Sequence, residues 1–167
     1  ASGLPLLQPE ERNPWLTSTY GTGEMIMDAI ERGCRNFLVG IGGSATNDAG
    51  TGMLQAMGFR FYDANGEIIE YCAGGRMQDI ARIDDSLVPA AVRQSVFTVA
   101  CDVDTPFCGP EGAAPVFAPQ KGADAEMVSR LDAGMASLAK VIADQYALNV
   151  VPVAGAGAAG GMGGAFY

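Results

Sequence analysis

Between Phe37 and Met57 the chain changes character twice. An apolar, strand-like run from Phe37 to Ile41 breaks into Gly42-Gly43. Ser44, Thr46, Asn47 and Asp48 follow, and then Met53, Leu54 and Met57 recur at helical spacing. A strand, a glycine loop and a helix start, in that order, let free backbone N–H groups and a positive helix end face an anion. Four short polar side chains bring hydroxyl, amide and carboxylate groups to the same bend. A purely structural turn needs small residues and one cap, not four polar groups, so this bend reads as a site.

Glycine is the compositional outlier, at 23 of 167 residues against a usual share of roughly 7%. Much of the excess is gathered in residues 40–52 and 155–164, so it is organised and not low complexity. The length suits one ordinary domain with a real core. With 49% hydrophobic and 17% charged residues the chain is globular, not disordered. Its net charge of −9 disfavours nucleic acid as a partner. It does not oppose a nucleotide whose charge is offset by Mg²⁺.

The absence of histidine removes Ser-His-Asp and Cys-His devices and His-ligated zinc. Cys34, Cys72, Cys101 and Cys108 show no CxxC spacing and read as reduced thiols, mostly packing. No apolar run approaches the roughly 20 residues that cross a bilayer. The expectation is a soluble, cytoplasmic protein with no membrane partner. The chain starts without Met and stops at Tyr167 beside a glycine-rich segment, which suggests a piece of something longer.

Periodicity predicts an irregular lead-in over 1–20, a helix over 22–33, a strand over 36–41 and a helix over 48–57. A hairpin follows: Phe59–Tyr62, a turn at Asp63–Gly66, and a return over Glu67–Tyr71. Residues 74–94 read as short helices and turns, and Ser95–Cys101 as a buried strand. A long connection over 102–123 has the length of a functional loop. A helix over 124–147, capped by Asp124, and a short strand at 149–153 lead to the second glycine run. The fold class is therefore α/β, one domain over 1–167, with a mixed sheet and flanking helices.

Two glycine patterns carry competing readings. Gly40-x-Gly42-x-x-Ala45 fits a loose dinucleotide fingerprint, with Asp63 downstream, but the next element turns back as a hairpin where a βαβ unit is needed. Gly155-x-Gly157-x-x-Gly160 matches the same pattern too near Tyr167 to open a βαβ unit within these residues. A close-packed glycine/alanine segment is the better account there. These matches keep an NAD(P)-dependent oxidoreductase as the alternative enzyme, and a non-catalytic scaffold as the alternative outside enzymes. Asp102 and Asp104 stand at the carboxyl end of the 95–101 strand, where α/β sheets place chemistry. Spaced i, i+2, they can share one Mg²⁺ or divide the roles of ligand and base; the bland reading is that one caps a turn. Lys121, one of two lysines, opens the long helix, where it can reach a phosphate or simply be solvated.

Together, GIGGSATNDAGTGMLQAMG, ACDVDTPFCGPEGAAPVFAPQKGA, GAGAAGGMGGAF and the lead-in SGLPLLQPEERNPWLTSTYGTGE closely resemble the glycerate kinase family, in order and with spacing preserved. The likeness spans nearly the whole chain and less than half of a full family member. It implies an ATP-dependent, Mg²⁺-requiring kinase that phosphorylates D-glycerate in a cleft between two α/β domains. One is flavodoxin-like; the other, inserted and resembling a restriction-enzyme-like fold, would hold most of this chain. The chain would then be a central fragment whose partner is the remaining domain of the same protein, and alone it would be inactive. Ala49 stands where a Gly is usual and Thr105 where an Asn is usual.

On that resemblance, Gly42, Gly43, Ser44 and Thr46 are expected to make anion or substrate contacts. Asp48 is the expected catalytic carboxylate, with Asn47 orienting it or the substrate. Asp102 and Asp104 are expected at Mg²⁺ or the substrate hydroxyl, and Lys121 at phosphate or carboxylate charge.

Overall fold

The computed structural model describes residues 2–167. Helix α1 (Tyr20–Glu31) buries Ile26 and Ile30 and stops before Gly33, whose φ of 95° no ordinary residue tolerates cheaply. Strand β1 (Asn36–Gly40) follows it. Helix α2 (Thr51–Ala56) is shorter than the 48–57 expected. The reason is local: Ala49 and Gly50 both sit at positive φ, 53° and 74°, so helical geometry starts only at Thr51. Asp48 is thereby left in the bend.

Strand β2 (Arg60–Tyr62) enters the expected turn, where Asp63 Oδ1 accepts from the amides of Asn65 and Glu67, each at 2.9 Å. The return arm does not become a strand. It keeps one bridge, Tyr62 to Ile68, because the Gln55 side chain holds it: Gln55 Nε2 donates to the Ile69 carbonyl at 2.8 Å, and Gln55 Oε1 accepts from the Cys72 amide at 3.0 Å. The antiparallel partner of β2 is instead β3 (Arg82–Asp84), from a stretch expected to hold only helices and turns. Arg82 also lies over the Tyr62 ring, 3.7 Å from its centroid.

After the short helix α3 (Ala90–Arg93), strand β4 (Val96–Ala100) pairs parallel with β1, Asn36 opposite Val96 through Gly40 opposite Ala100. Both strand senses thus occur, in two separate two-stranded sheets. The inward face stacks Phe37 on Phe97 at 5.0 Å and packs with Ile26, Ile41, Met53 and Met162. The outward face is open, so Val96–Ala100 is half-buried and not the buried strand its apolar composition suggested. Leu38 is 77% exposed.

The 102–123 connection contains helix α4 (Ala113–Phe117) and a 3₁₀ turn at Pro119–Lys121. Helix α5 (Ala125–Tyr146) starts where its sequence says: Asp124 Oδ1 accepts from the Met127 amide at 2.8 Å. Its Leu131, Met135 and Leu138 form the second core with Phe61, Met77 and Phe107. Residues 149–153 are a turn, not a strand; Pro152 lacks the N–H a ladder needs. The second glycine run is a succession of tight turns ending in α6 (Met162–Ala165).

Candidate active site

At the carboxyl ends of β1 and β4 the chain leaves a cleft of ≈ 240 Å³. Gly42, Gly43 and Ser44 form one wall; Cys101 and Asp102 form another; Lys121 closes a third. Three segments far apart in sequence therefore meet where the strand-end rule of α/β sheets puts chemistry.

Gly42 and Gly43 are exposed, and Gly43 turns the chain at φ 66°. Among the described residues the amides of Gly42, Gly43 and Ser44 have no hydrogen-bond acceptor. Successive free N–H groups in a bend are an anion-binding arrangement.

Lys121 is 1% exposed, not the solvated lysine of the bland reading. Its Nζ donates to Ser44 Oγ at 2.9 Å and to the Thr46 carbonyl at 2.6 Å. An ammonium has three N–H groups, so one is left. Burial pulls its pKa down to about 8, and the Asp48 charge acts in the opposite direction.

Asp48 is fully buried and does not line the cleft. Its Oδ2 accepts from the Thr19 amide at 2.7 Å, from Thr19 Oγ1 at 2.8 Å and from the Gly52 amide at 3.3 Å. Its Oδ1 accepts from the Gly50 amide at 3.2 Å. Burial raises its pKa above the ordinary carboxylate range, against the pull of those four donors. Thr19 Oγ1 in turn accepts from the Met53 amide at 2.8 Å. The carboxylate thus pins the bend to the starts of α1 and α2.

Asn47 also lies beneath the bend, its Nδ2 against Met135 Sδ at 3.3 Å. Asn47 Oδ1 and Thr46 Oγ1 are buried and have no partner among the described residues. Asp104 is exposed and lies outside the cleft. The structure therefore brings Gly42, Gly43, Ser44, Asp102 and Lys121 together, and sets Thr46, Asn47 and Asp48 under them as support. Thr19 is the member that sequence reasoning missed. Thr17-Ser18-Thr19 signals only a helix start, and nothing local says that Thr19 meets Asp48.

Asp102 and Asp104 belong to no group of three or more His, Cys, Asp or Glu suited to a metal among the described residues. Mg²⁺ usually takes one or two carboxylates and fills its shell with water and phosphate oxygens, and Asp102, exposed on the cleft, is of the type that can serve as one of them.

Neither glycine run makes a dinucleotide cradle. A Cβ on Gly157 would strike the Pro106 carbonyl, and one on Gly160 the Thr46 carbonyl, so the second run is packed shut. The first leads to α2 and then to β2, which pairs with β3 and not β1, so no βαβ unit opens there.

The family model described as the glycerate kinase family matches residues 1–167. The chain belongs to the glycerate kinase family. It is 48% identical over 163 residues to a glycerate kinase of Halalkalibacterium halodurans, which covers 98% of this chain and 43% of the relative. It is 47% identical over 165 residues to glycerate 2-kinase of Escherichia coli K12, covering 99% of this chain and 43% of the relative. A crystal structure of a protein described as glycerate kinase 2 from Salmonella typhimurium LT2 superimposes with a TM-score of 0.96. It is 46% identical and covers 100% of this chain and 44% of the other. The chain spans less than half the length of these relatives. Ala49 occupies the left-handed region at φ 53°, where a glycine would be unstrained.

Proposed function

We propose that the full-length protein carrying this chain transfers the γ-phosphoryl group of ATP to D-glycerate, with Mg²⁺ accompanying the nucleotide. One observation carries the reading: a small cleft unites the glycine bend, a buried lysine and an aspartate in a chain matched end to end by this family. Phosphoryl transfer asks for positioning and charge placement more than for covalent help. The acceptor hydroxyl attacks the γ-phosphorus in line, the bond to the ADP oxygen breaks, and the hydroxyl proton passes to a carboxylate. Asp102 is the carboxylate inside the cleft and takes that place. Asp104, two residues on and outside it, is assigned to the Mg²⁺ side. Asp48, Asn47 and Thr46 act as positioning residues that hold the bend.

A cleft of ≈ 240 Å³ lies below the roughly 300–1,000 Å³ of pockets that enclose larger ligands. The small volume supports a share of the ATP grip for the remaining domain, the partner of this chain within the same protein. The printed name of the E. coli relative supports 2-phosphoglycerate as the product. Chemistry on ATP and four free cysteines support a cytoplasmic setting; among the described residues no helix is long and apolar enough to cross a membrane.

The test is a coupled ADP-release assay on the full-length protein with MgATP and D-glycerate, the product identified by phosphorus NMR. Release of ADP only when D-glycerate is present is expected. Full-length protein that releases no ADP on adding D-glycerate would refute the reading.

A further inference from the structure

The cleft is lined by a set of hydrogen-bond donors and by one carboxylate, and that pairing bears on how a small acid sits in it. Lining it are Gly42, Gly43 and Ser44, whose amides are free of acceptors among the described residues. The third N–H of Lys121 is there too, and so is the Ser44 hydroxyl, which accepts from Lys121 at 2.9 Å and keeps its own proton to donate. Every one of these is a donor. Among the described residues that line the cleft, the only charged group besides Lys121 is the Asp102 carboxylate, an acceptor.

Resting on the kinase reading above, we infer that this cleft is the acceptor subsite. The glycerate carboxylate lies against Lys121, Ser44 and the Gly42–Ser44 amides, and its hydroxyl end faces Asp102. The reverse orientation puts two carboxylates together and leaves the donors empty, which costs on both counts. A triphosphate fits worse still. It would bring several negative charges beside Asp102 into a space with a single cation. A ligand with one negative end and one hydroxyl-donating end matches the cleft charge for charge. Lys121 and Ser44 are therefore specificity-determining residues for the carboxylate and not for the transferred phosphate.

The experiment uses the full-length protein, with D-glycerate titrated by calorimetry and both KM values measured. Ser44→Ala and Lys121→Met are compared with the wild type, and thermal melts establish that each is folded. Loss of one charge-assisted donor is expected to weaken D-glycerate binding and raise its KM by about 10-fold or more, with the KM for MgATP within about 2-fold of wild type. Glyceramide, which keeps both hydroxyls but lacks the charge, is expected not to compete with D-glycerate. Ser44→Ala removes only a hydroxyl, so it decides the matter if Lys121→Met does not fold.

Unchanged D-glycerate affinity in folded variants, or a rise confined to the KM for MgATP, overturns the assignment and gives these donors to phosphate. Calorimetry separates this inference from the kinase reading. Wild-type binding of D-glycerate that Ser44→Ala weakens, without turnover, sinks the reaction and keeps the subsite. Normal turnover with indifferent variants does the reverse.

Discussion

A single buried ammonium gives this protein a pH signature. Lys121 has a folded pKa of about 8 against 10.5 for an ordinary lysine, chiefly through burial. The charge acting on it is that of Asp48, which pushes the value upward; Asp102 lines the same cleft. Below pH 8 the lysine is protonated in the folded and unfolded chain alike, and the folded state bears the whole cost, roughly 3 kcal/mol at about 1.4 kcal/mol per unit. Between pH 8 and 10.5 the unfolded chain binds the proton more tightly, so stability rises with pH across that window. The expected result is a positive slope of unfolding free energy in wild type that is absent in Lys121→Met, read from urea titrations at several pH values. Equal slopes would mean the amine is solvated. The same residue shows what sequence can and cannot say. Its position at the opening of the long helix marked Lys121 for attention, but its partners Ser44 and Thr46 lie more than seventy residues away. Thr19 was illegible for a similar reason, since its meeting with Asp48 is a product of packing.

Elements whose signal is local were readable. Helix α5 carries a long apolar stripe and an Asp cap, and its observed bounds differ from expectation by one residue at each end. Strands β1 and β4 were visible from β-branched and aromatic content, with the glycine bend visible behind β1. What failed was pairing across distance. The Asp63–Gly66 turn is real, but a turn does not choose its strands. Gln55 draws the return arm away, and β3, some twenty residues on, takes the place beside β2. The second glycine run was legible as packing but not as to what it packs against. Gly160, at φ 71°, lies against the Thr46 carbonyl, the same oxygen that accepts from Lys121. Gly160→Ala adds a methyl group that collides there and strains a left-handed residue. A loss of about 2 kcal/mol or more is expected by thermal or urea unfolding, with glycerate affinity lowered in whatever remains folded. Gly42→Ala meets nothing within 4 Å on its backbone, so it is expected to leave stability within about 1 kcal/mol of wild type. Comparable losses at both positions would contradict the packing role of the second run.

At the scale of the molecule, the β1–β4 sheet is only half covered. Parallel sheets are almost always packed on both faces, yet Leu38 is 77% exposed, and Val96, at 59%, opens onto the same side. Residues 36, 38 and 40 on β1 and 96, 98 and 100 on β4 all face outward. The curated relatives are more than twice as long as this chain, and we propose that the remaining part of a full-length protein covers this face. A charge placed on that face distinguishes an open surface from a covered one. Leu38→Lys in the 167-residue chain removes little buried area and is expected to shift stability by no more than about 0.5 kcal/mol. In the full-length protein the same substitution buries an unpaired ammonium, and the urea midpoint is expected to fall by the equivalent of more than about 1 kcal/mol. Glycerate-dependent ADP release should fall with it, because the sheet whose carboxyl end carries the cleft would no longer be held against its cover. Equal, small effects in the two proteins would show that this face stays open and that the second domain docks elsewhere.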